Sequence, residues 1–515
     1  MTDWGVARAA LAAALLASGA TPLRAQGFVL LQGADTVAVE RVTRGAGSLE
    51  GELQMRQGQP VTIRYRANPG ADALIPSISL EASGVPNGGG VTVTFRGDSA
   101  FAEVGGTTQR LQAGAGALPF VNPLMGILEQ IAMRSRVLGG ERVEIPILNL
   151  QGGQLFSATV QRIGADSLSM TFPPGVEVRA RVDAQGRLLG ATIPSQRLEI
   201  RRIEGPIGML PPPPPPDYAP PDGAPYRAED VRVEVPAGHV LAGTLTIPIT
   251  RSGRMPAVVL ISGSGAQDRD VSLPQPRGYR IFREIADTLS RRGIAVLRLD
   301  DRGYGQSGGS FADATTQSFA DDVRAALEFL RKRPEVDPAR LGLVGHSEGG
   351  VIAPMVAAEG PPLRAIALLA GTARTGRRVL EYQLRRNIES DSALPAARRD
   401  SAIAAIPATI AALSVDPWMR YFLDYDPLPA LGQVKVPVLV LQGGTDRQVT
   451  ADQAEEIAAA LRAAGNERVT VRTFPELNHL FLRDPSGQPQ GYAALAPGVS
   501  REVLGTLADW LAREL

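Results

Sequence analysis

Two hydrophobic rhythms divide the chain. Over residues 28–203, apolar and polar positions alternate in short runs such as 37–42, 91–95 and 176–182, separated by Gly, Asn and Asp turns. Side chains of an extended strand point to opposite faces in turn, so this alternation predicts half-buried strands of an antiparallel sheet. The stretch Arg181-Val-Asp-Ala-Gln-Gly-Arg187 predicts a hairpin turn. Leu124, Ile127, Leu128 and Ile131 instead recur at helical spacing after Pro123, which predicts a helix over 123–136. Its stripe is read as a core helix plugging a curved sheet, in preference to a lipid-binding face.

From about residue 229 the rhythm changes. Continuous apolar runs at 257–261, 295–299, 341–344, 365–369, 438–441 and 468–474 alternate with helical patterns at 280–291, 319–331, 451–464 and 501–514. A strand without a polar face must be covered on both sides. The alternation therefore predicts an α/β fold with a mostly parallel, doubly wound sheet over 229–515 and right-handed crossovers. Residues 231–235 and 239–249 read as an antiparallel edge hairpin. An Ala- and Arg-rich excursion at about 374–431, broken by Pro417, Pro427 and Pro429, reads as a helical cap over the strand ends.

Between the two regions, residues 205–227 read as a linker, with six consecutive prolines from Pro211 to Pro216. Such a run forms a stiff polyproline II spacer with no hydrogen bonds and no core. At the other end, Arg8 precedes an apolar run at 9–17 that is too short to span a bilayer, and small residues follow. Residues 1–25 are read as a signal peptide cut after Ala20 or Ala25, so the expected location is periplasmic or secreted, without stable membrane insertion after cleavage.

Composition narrows the chemistry. Lys plus Arg and Asp plus Glu balance at 53 each, which gives no reason to expect nucleic acid as a partner. The 515-residue chain has no cysteine, so disulfides, thiolate nucleophiles and thiolate metal sites are excluded. The three histidines, His239, His346 and His479, show no metal-ligand spacing. No metal and no organic cofactor is implied.

Gly345-His-Ser-Glu-Gly349 follows an apolar run and precedes a helix-like one. This G-x-S-x-G pattern is a nucleophile elbow, whose glycines permit the close approach that a sharp strand-to-helix turn requires. A serine hydroxyl is a weak nucleophile at neutral pH, so a neutral imidazole must take its proton and a carboxylate must orient that imidazole. Asp446 follows the apolar run at 438–441 after two glycines, and His479 follows the run at 468–474. With Ser347 they give the order Ser, Asp, His, distinct from the chymotrypsin and subtilisin orders. Asp416, Asp424 and Asp426 are rival acids, but none ends a buried strand.

An oxyanion hole needs two N–H donors. Glu348 would supply one, and Ser264 or Gly263, after the first parallel strand, the other. Glu348 is assigned only its N–H. His346 is read as packing and His239 as structural. Asp268, Arg269, Asp270, Asp300, Asp301 and Arg302 are read as structural pairs in preference to a carboxylate site at Arg269 or Arg302.

Residues 229–515 resemble the α/β-hydrolase superfamily, in particular bacterial serine carboxylesterases with a helical cap. The resemblance rests on Gly263-Ser-Gly-Ala-Gln-Asp-Arg-Asp270, Asp300-Asp-Arg-Gly-Tyr-Gly-Gln-Ser-Gly308, the Ser347 elbow and the Asp446–His479 pair. Ser262 stands where the usual H-G-x-G oxyanion pattern has His. The resemblance implies a small-molecule ester as substrate, cleaved through an acyl-enzyme. The alternatives are a serine peptidase of prolyl-oligopeptidase type, a thioesterase or lactonase using the same residues, and a binding module on a relic fold. No blade repeat marks the β region as a propeller.

Overall fold

A computed structural model describes residues 26–515 apart from 34, 46, 58, 85–88, 152, 174, 206, 209, 211–215, 250–252, 361, 391–395 and 414–416. The segment 1–25, read above as a signal peptide, lies outside the described residues, as do six of the linker prolines and Asp416. Two compact units divide the chain, meeting in sequence at Pro212 and Pro213.

In the first unit the alternating runs form strands of one sheet, fifteen among the described residues. Its order runs from Thr107–Gln112 at one edge back to Gln26–Gln32, crosses to Leu198–Glu204, and ends at Leu118–Phe120. The antiparallel pairing of Gln26–Gln32 with Leu198–Glu204 joins the two ends of the domain at the middle of the sheet. Alternation is visible in Val176–Val182, where Val178, Ala180 and Val182 are buried and Arg179 and Arg181 exposed. One hydrophobic cluster combines such inward residues with Leu124, Ile127, Leu128 and Ile131, so the sheet packs around the helix Met125–Leu138.

The apolar stripe does not describe the whole helix, because Glu129 and Gln130 are buried too. Glu129 forms an ion pair with Arg44 and accepts the N–H of Leu188 at 2.8 Å. At the other end, Glu40 accepts the N–H groups of Met125 and Gly126 at 2.5 and 3.1 Å, and the Tyr65 hydroxyl at 2.6 Å. It thus satisfies orphan donors of the first helical turn from a neighbouring strand. Burial pushes the Glu40 carboxyl up from 4.5 to about 7, against the effect of those donors.

In the second unit eight strands form a sheet among the described residues. Their order is Tyr226–Val235, His239–Pro248, Ala295–Leu299, Met255–Ile261, Val336–His346, Ala365–Leu369, Val438–Gly443 and Val469–Phe474. The first three pair antiparallel in succession, and from Ala295–Leu299 onward every pairing is parallel. The strand Met255–Ile261 lies inside Ala295–Leu299, beside Val336–His346, although it comes first in sequence. This reversal makes neighbours of the loops that follow the two central strands.

Period two survives inside the buried strands as a division between two cores. Ala257, Val259, Leu343 and Val440 pack with the helices Thr316–Arg331, Gly349–Ala358 and Asp452–Ala463. Val258, Leu260, Val344 and Leu441 pack on the other face with Ile281–Arg291 and Arg501–Glu514. Five helices occupy the cap region among the described residues, from Gly376–Ser390 to Leu428–Leu431. No helix among the described residues is long and apolar enough to cross a membrane.

The linker reading needs correction after the proline run. The carbonyl of Asp217 accepts from Arg280 and Arg283, and that of Ala219 from Arg283 at 2.8 Å. The Tyr218 ring lies 4.2 Å from the buried Arg269 guanidinium. Composition suggested a free spacer, but three arginines supplied by distant residues tie it down.

Replacing Glu40 by Ala leaves three donors without their acceptor. Glu40→Ala is expected to destabilise the first unit by about 2–4 kcal/mol, read from the denaturant midpoint of its unfolding transition; an unchanged midpoint would mean that packing alone holds the helix. Because the folded carboxyl titrates at about 7 against 4.5 unfolded, its contribution is full below pH 4.5 and is lost as the pH rises through 7. Stability of the parent should fall across that window, and Glu40→Gln should remove this part of the slope.

Candidate active site

The strand Val336–His346 ends in Ser347, whose φ of 56° lies in the left-handed region. Its neighbours explain why this backbone is tolerated. A Cβ on Gly345 would lie 2.0 Å from the Gly349 carbonyl oxygen, and one on Gly349 would lie 2.2 Å from that of Ile261. Gly350 packs against Gly371 with the same lack of room. The helix Gly349–Ala358 therefore sits close against the strand ends, and the Ser347 N–H is bound by the Leu369 carbonyl at 2.9 Å.

Ser347, Asp446 and His479, from the ends of three different strands, meet. Ser347 Oγ is 3.1 Å from His479 Nε2, and His479 Nδ1 is 2.7 Å from Asp446 Oδ2. Ser347 is half-buried, whereas His479 and Asp446 are buried. Three further donors converge on the Asp446 carboxylate: Gln442 Nε2 at 2.9 Å and the N–H groups of Gln448 and Val449 at 2.8 and 2.9 Å. Since that carboxylate only accepts, Nδ1 of His479 carries its proton and Nε2 faces the serine as an acceptor. The arrangement can withdraw a proton from Ser347 Oγ.

His346 has more than a packing place. Its Nε2 donates to the His479 carbonyl at 3.0 Å, and the two rings lie 5.1 Å apart. Burial, then the neighbouring His479, lowers the His346 imidazole to about 4 and keeps it neutral. Asn478 pins the same loop, accepting from the N–H groups of Leu480 and Leu482 at 3.0 and 3.1 Å. Gln442, His346 and Asn478 were missed as supports. Their position beside the expected site residues was the available signal, but their partners are set by the fold.

Gly263 and Ser264 follow Met255–Ile261, whose Ile261 pairs with Gly345. A Cβ on Gly263 would lie 3.0 Å from Ser347 Cβ, so the loop passes directly beside the nucleophile position. Among the described residues, no hydrogen bond engages the backbone N–H of Glu348 or of Ser264. Ser262, in place of the usual His, donates to Asp301 at 2.7 Å, and Asp301 also accepts the Gln267 N–H at 2.8 Å. Burial pushes the Asp301 carboxyl up to about 8.

Other charged candidates form ion pairs away from the nucleophile. Arg269 holds Asp300 through two nitrogens at 3.0 and 2.8 Å, Arg302 holds Asp322, and His239 bonds Asp322 at 3.1 Å. Asp424 pairs with Arg377, and Asp426 accepts the Leu428 N–H. The Glu348 side chain, given no role from sequence, is buried and lines the cavity. Burial raises its carboxyl above the ordinary value.

The cavity over Ser347 holds about 490 Å³. Val379, Leu380, Trp418, Met419 and Phe422 give it an apolar cap side, and Gln383, Gln448 and Tyr492 add neutral polar groups. A second cavity of about 440 Å³, in the first unit, has walls of charged residues including Arg41, Glu50 and Arg64. Its lining contains no histidine among the described residues, whereas that of the apolar cavity holds Ser347 and His479 together.

Fold and elbow together define an α/β-hydrolase. The profile of the family described as serine aminopeptidase, S33 (Hydrolase_4), matches residues 278–486. Esterase EstD of Thermotoga maritima is 29% identical over 316 residues, covering 58% of this chain and 70% of EstD. Uncharacterized protein MT2364 of Mycobacterium tuberculosis is 30% identical over 254 residues, covering 48% of this chain and 72% of that protein. The solved structure of Pyrococcus furiosus esterase Pf2001 aligns with a TM-score of 0.41 and 17% identity, over 60% of this chain and 99% of that one. The chain belongs to the S33 Hydrolase_4 family of α/β-hydrolases, and it is a hydrolase.

The elbow's dependence on glycine has a direct test. Gly349→Ala must displace backbone and is expected to cost about 3 kcal/mol, whereas Gly505→Ala, with open space around its Cβ in a helix, should gain up to about 1 kcal/mol. Thermal melts of both variants check the contrast; equal shifts would remove the packing explanation.

Proposed function

We propose that the chain is an exported serine hydrolase that cleaves uncharged carboxylic esters through an acyl-enzyme. The observation that carries this is the unbroken sequence of contacts from Asp446 through His479 to Ser347 Oγ, at 2.7 and 3.1 Å. Ser347 attacks the ester carbonyl while His479 Nε2 takes its proton. The N–H groups of Glu348 and of Ser264 or Gly263 receive the oxyanion, and Asp446 stabilises the imidazolium. His479 then returns the proton to the departing alcohol. Water, activated by the same imidazole, clears the acyl group and regenerates the serine. Export follows from reading residues 1–25 as a signal peptide and places the enzyme in the periplasm or outside the cell.

Two observations favour an ester over a peptide with a free amino terminus. A carboxylate is the strongest partner for a substrate ammonium, and among the described residues the one acid lining the cavity is Glu348, whose oxygens are already engaged by Thr316 and Trp418. One relative, matched over 70% of its length, is named as an esterase, EstD of Thermotoga maritima.

Hydrolysis of p-nitrophenyl acetate is the test. Ser347→Ala and His479→Ala are each expected to lower kcat/KM by about 10³-fold or more, and Asp446→Asn by about 10⁴-fold. A fluorophosphonate should label the parent at Ser347 and not Ser347→Ala. Folded parent that leaves esters intact and cleaves aminoacyl-arylamides would replace this reading by the peptidase one; absence of labelling would point to a relic site.

A further inference from the structure

The Glu348 side chain lies where three parts of the second unit converge. Its carboxylate accepts from Thr316 Oγ1 at 2.7 Å, in the first turn of Thr316–Arg331. It also accepts from Trp418 Nε1 at 3.0 and 3.2 Å, in the cap helix Pro417–Asp424. The Ser264 side chain, on the loop beside the nucleophile, joins Thr316 and Trp418 in favouring its ionised form. Trp418 stacks on Phe422 with ring centroids 5.5 Å apart and an interplanar angle of 17°. Four residues apart on a helix, the two rings share one face, and both line the cavity over Ser347.

We propose that the Glu348 side chain is a latch that holds Trp418 and Phe422 as a flat apolar wall beside the nucleophile. This wall selects esters carrying an uncharged ring or a similarly broad apolar group. The inference rests on the ester-hydrolase reading above and names its substrate class. An indole N–H that leaves water needs an acceptor, and a carboxylate is the strongest available. With that carboxylate engaged, no free charge among the described residues of the cavity lining offsets a charge on the substrate. A volume of about 490 Å³ accommodates a ring-sized group.

The latch also joins recognition to chemistry. The residue whose N–H faces the oxyanion position fixes the cap through its own side chain. Glu348 is thus a positioning and specificity residue through its side chain, separately from its backbone. Loss of the side chain is expected to change KM and kcat together, whereas loss of the Trp418 ring should act mainly on KM.

Two ester series place the ring on either side of the scissile bond: p-nitrophenyl acetate against p-nitrophenyl 4-phenylbutanoate, and ethyl acetate against 2-phenylethyl acetate, whose leaving alcohols are nearly matched. In at least one series the parent is expected to gain about tenfold or more in kcat/KM from the ring. Trp418→Ala should lose most of that gain through KM. Glu348→Ala should lose it and lower kcat, and Glu348→Gln, whose amide oxygen still accepts from the indole, should keep it. The chain has three tryptophans, so the difference in emission between parent and Trp418→Phe isolates Trp418. In Glu348→Ala that component should shift to the red and become more accessible to acrylamide.

A ring gain as large in Trp418→Ala as in the parent overturns the proposal, as does no gain in either series or Trp418 emission unaffected by Glu348→Ala. If the parent cleaves no ester, the ester-hydrolase reading fails, and the emission comparison alone decides the latch. Should Glu348→Ala not fold, Trp418→Phe removes the N–H while keeping a ring. It should then lower kcat/KM for ring esters about threefold or more, and an unchanged value overturns the latch.

Discussion

The left-handed backbone of Ser347 is the constraint on which the hydrolase unit depends. A non-glycine residue in that conformation persists only where its surroundings over-determine it. Here the surroundings are strand ends and a helix packed so closely that Gly345, Gly349 and Gly350 have no room for a side chain. The same closeness brings the Gly263 loop against the serine, where the Glu348 N–H carries no hydrogen bond among the described residues. Strain at one residue and the donors beside it are two results of one packing arrangement.

Buried carboxyl groups do the joining elsewhere. Glu40 gathers two helix N–H groups and a tyrosine hydroxyl, Asp301 ties Ser262 to Gln267, and Asp446 collects donors from its own loop and from His479. Glu348 does this between core and cap. Each acid binds donors from a segment other than its own, so each fixes a relation between elements as well as a side chain. With no cysteine in the chain, such acceptors supply long-range ties of the kind that disulfides provide elsewhere.

The order of elements in the hydrolase unit was legible because a strand buried on both faces leaves a continuous apolar run, and glycines mark where it turns. Ser347, Asp446 and His479 stood at the ends of such runs, which is where an open parallel sheet collects its site residues. Strands of the first unit were equally visible through alternation, but their order was not. Pairing of Gln26–Gln32 with Leu198–Glu204 joins positions that no local pattern relates. For the same reason Glu348 looked like a backbone donor alone. Its partners Thr316 and Trp418 are 32 and 70 residues away, and a glutamate beside a nucleophile carries no mark of facing inward. His346 was likewise legible as a neighbour of the serine and illegible as a support for the loop of His479.

The attachment of residues 217–219 shifts where the hydrolase begins. Asp217 and Ala219 lend their carbonyls to arginines of the Ile281–Arg291 helix region, and Tyr218 covers Arg269, which grips Asp300 beneath the loop that carries Ser264. Measured by its strands, the hydrolase would start at Tyr226; measured by what its arginines hold, it starts at the end of the proline run. Any ancestral fusion or laboratory graft that exchanged the N-terminal sheet would thus have its natural seam upstream of Asp217, since a joint placed at the first strand would remove a piece of the hydrolase itself.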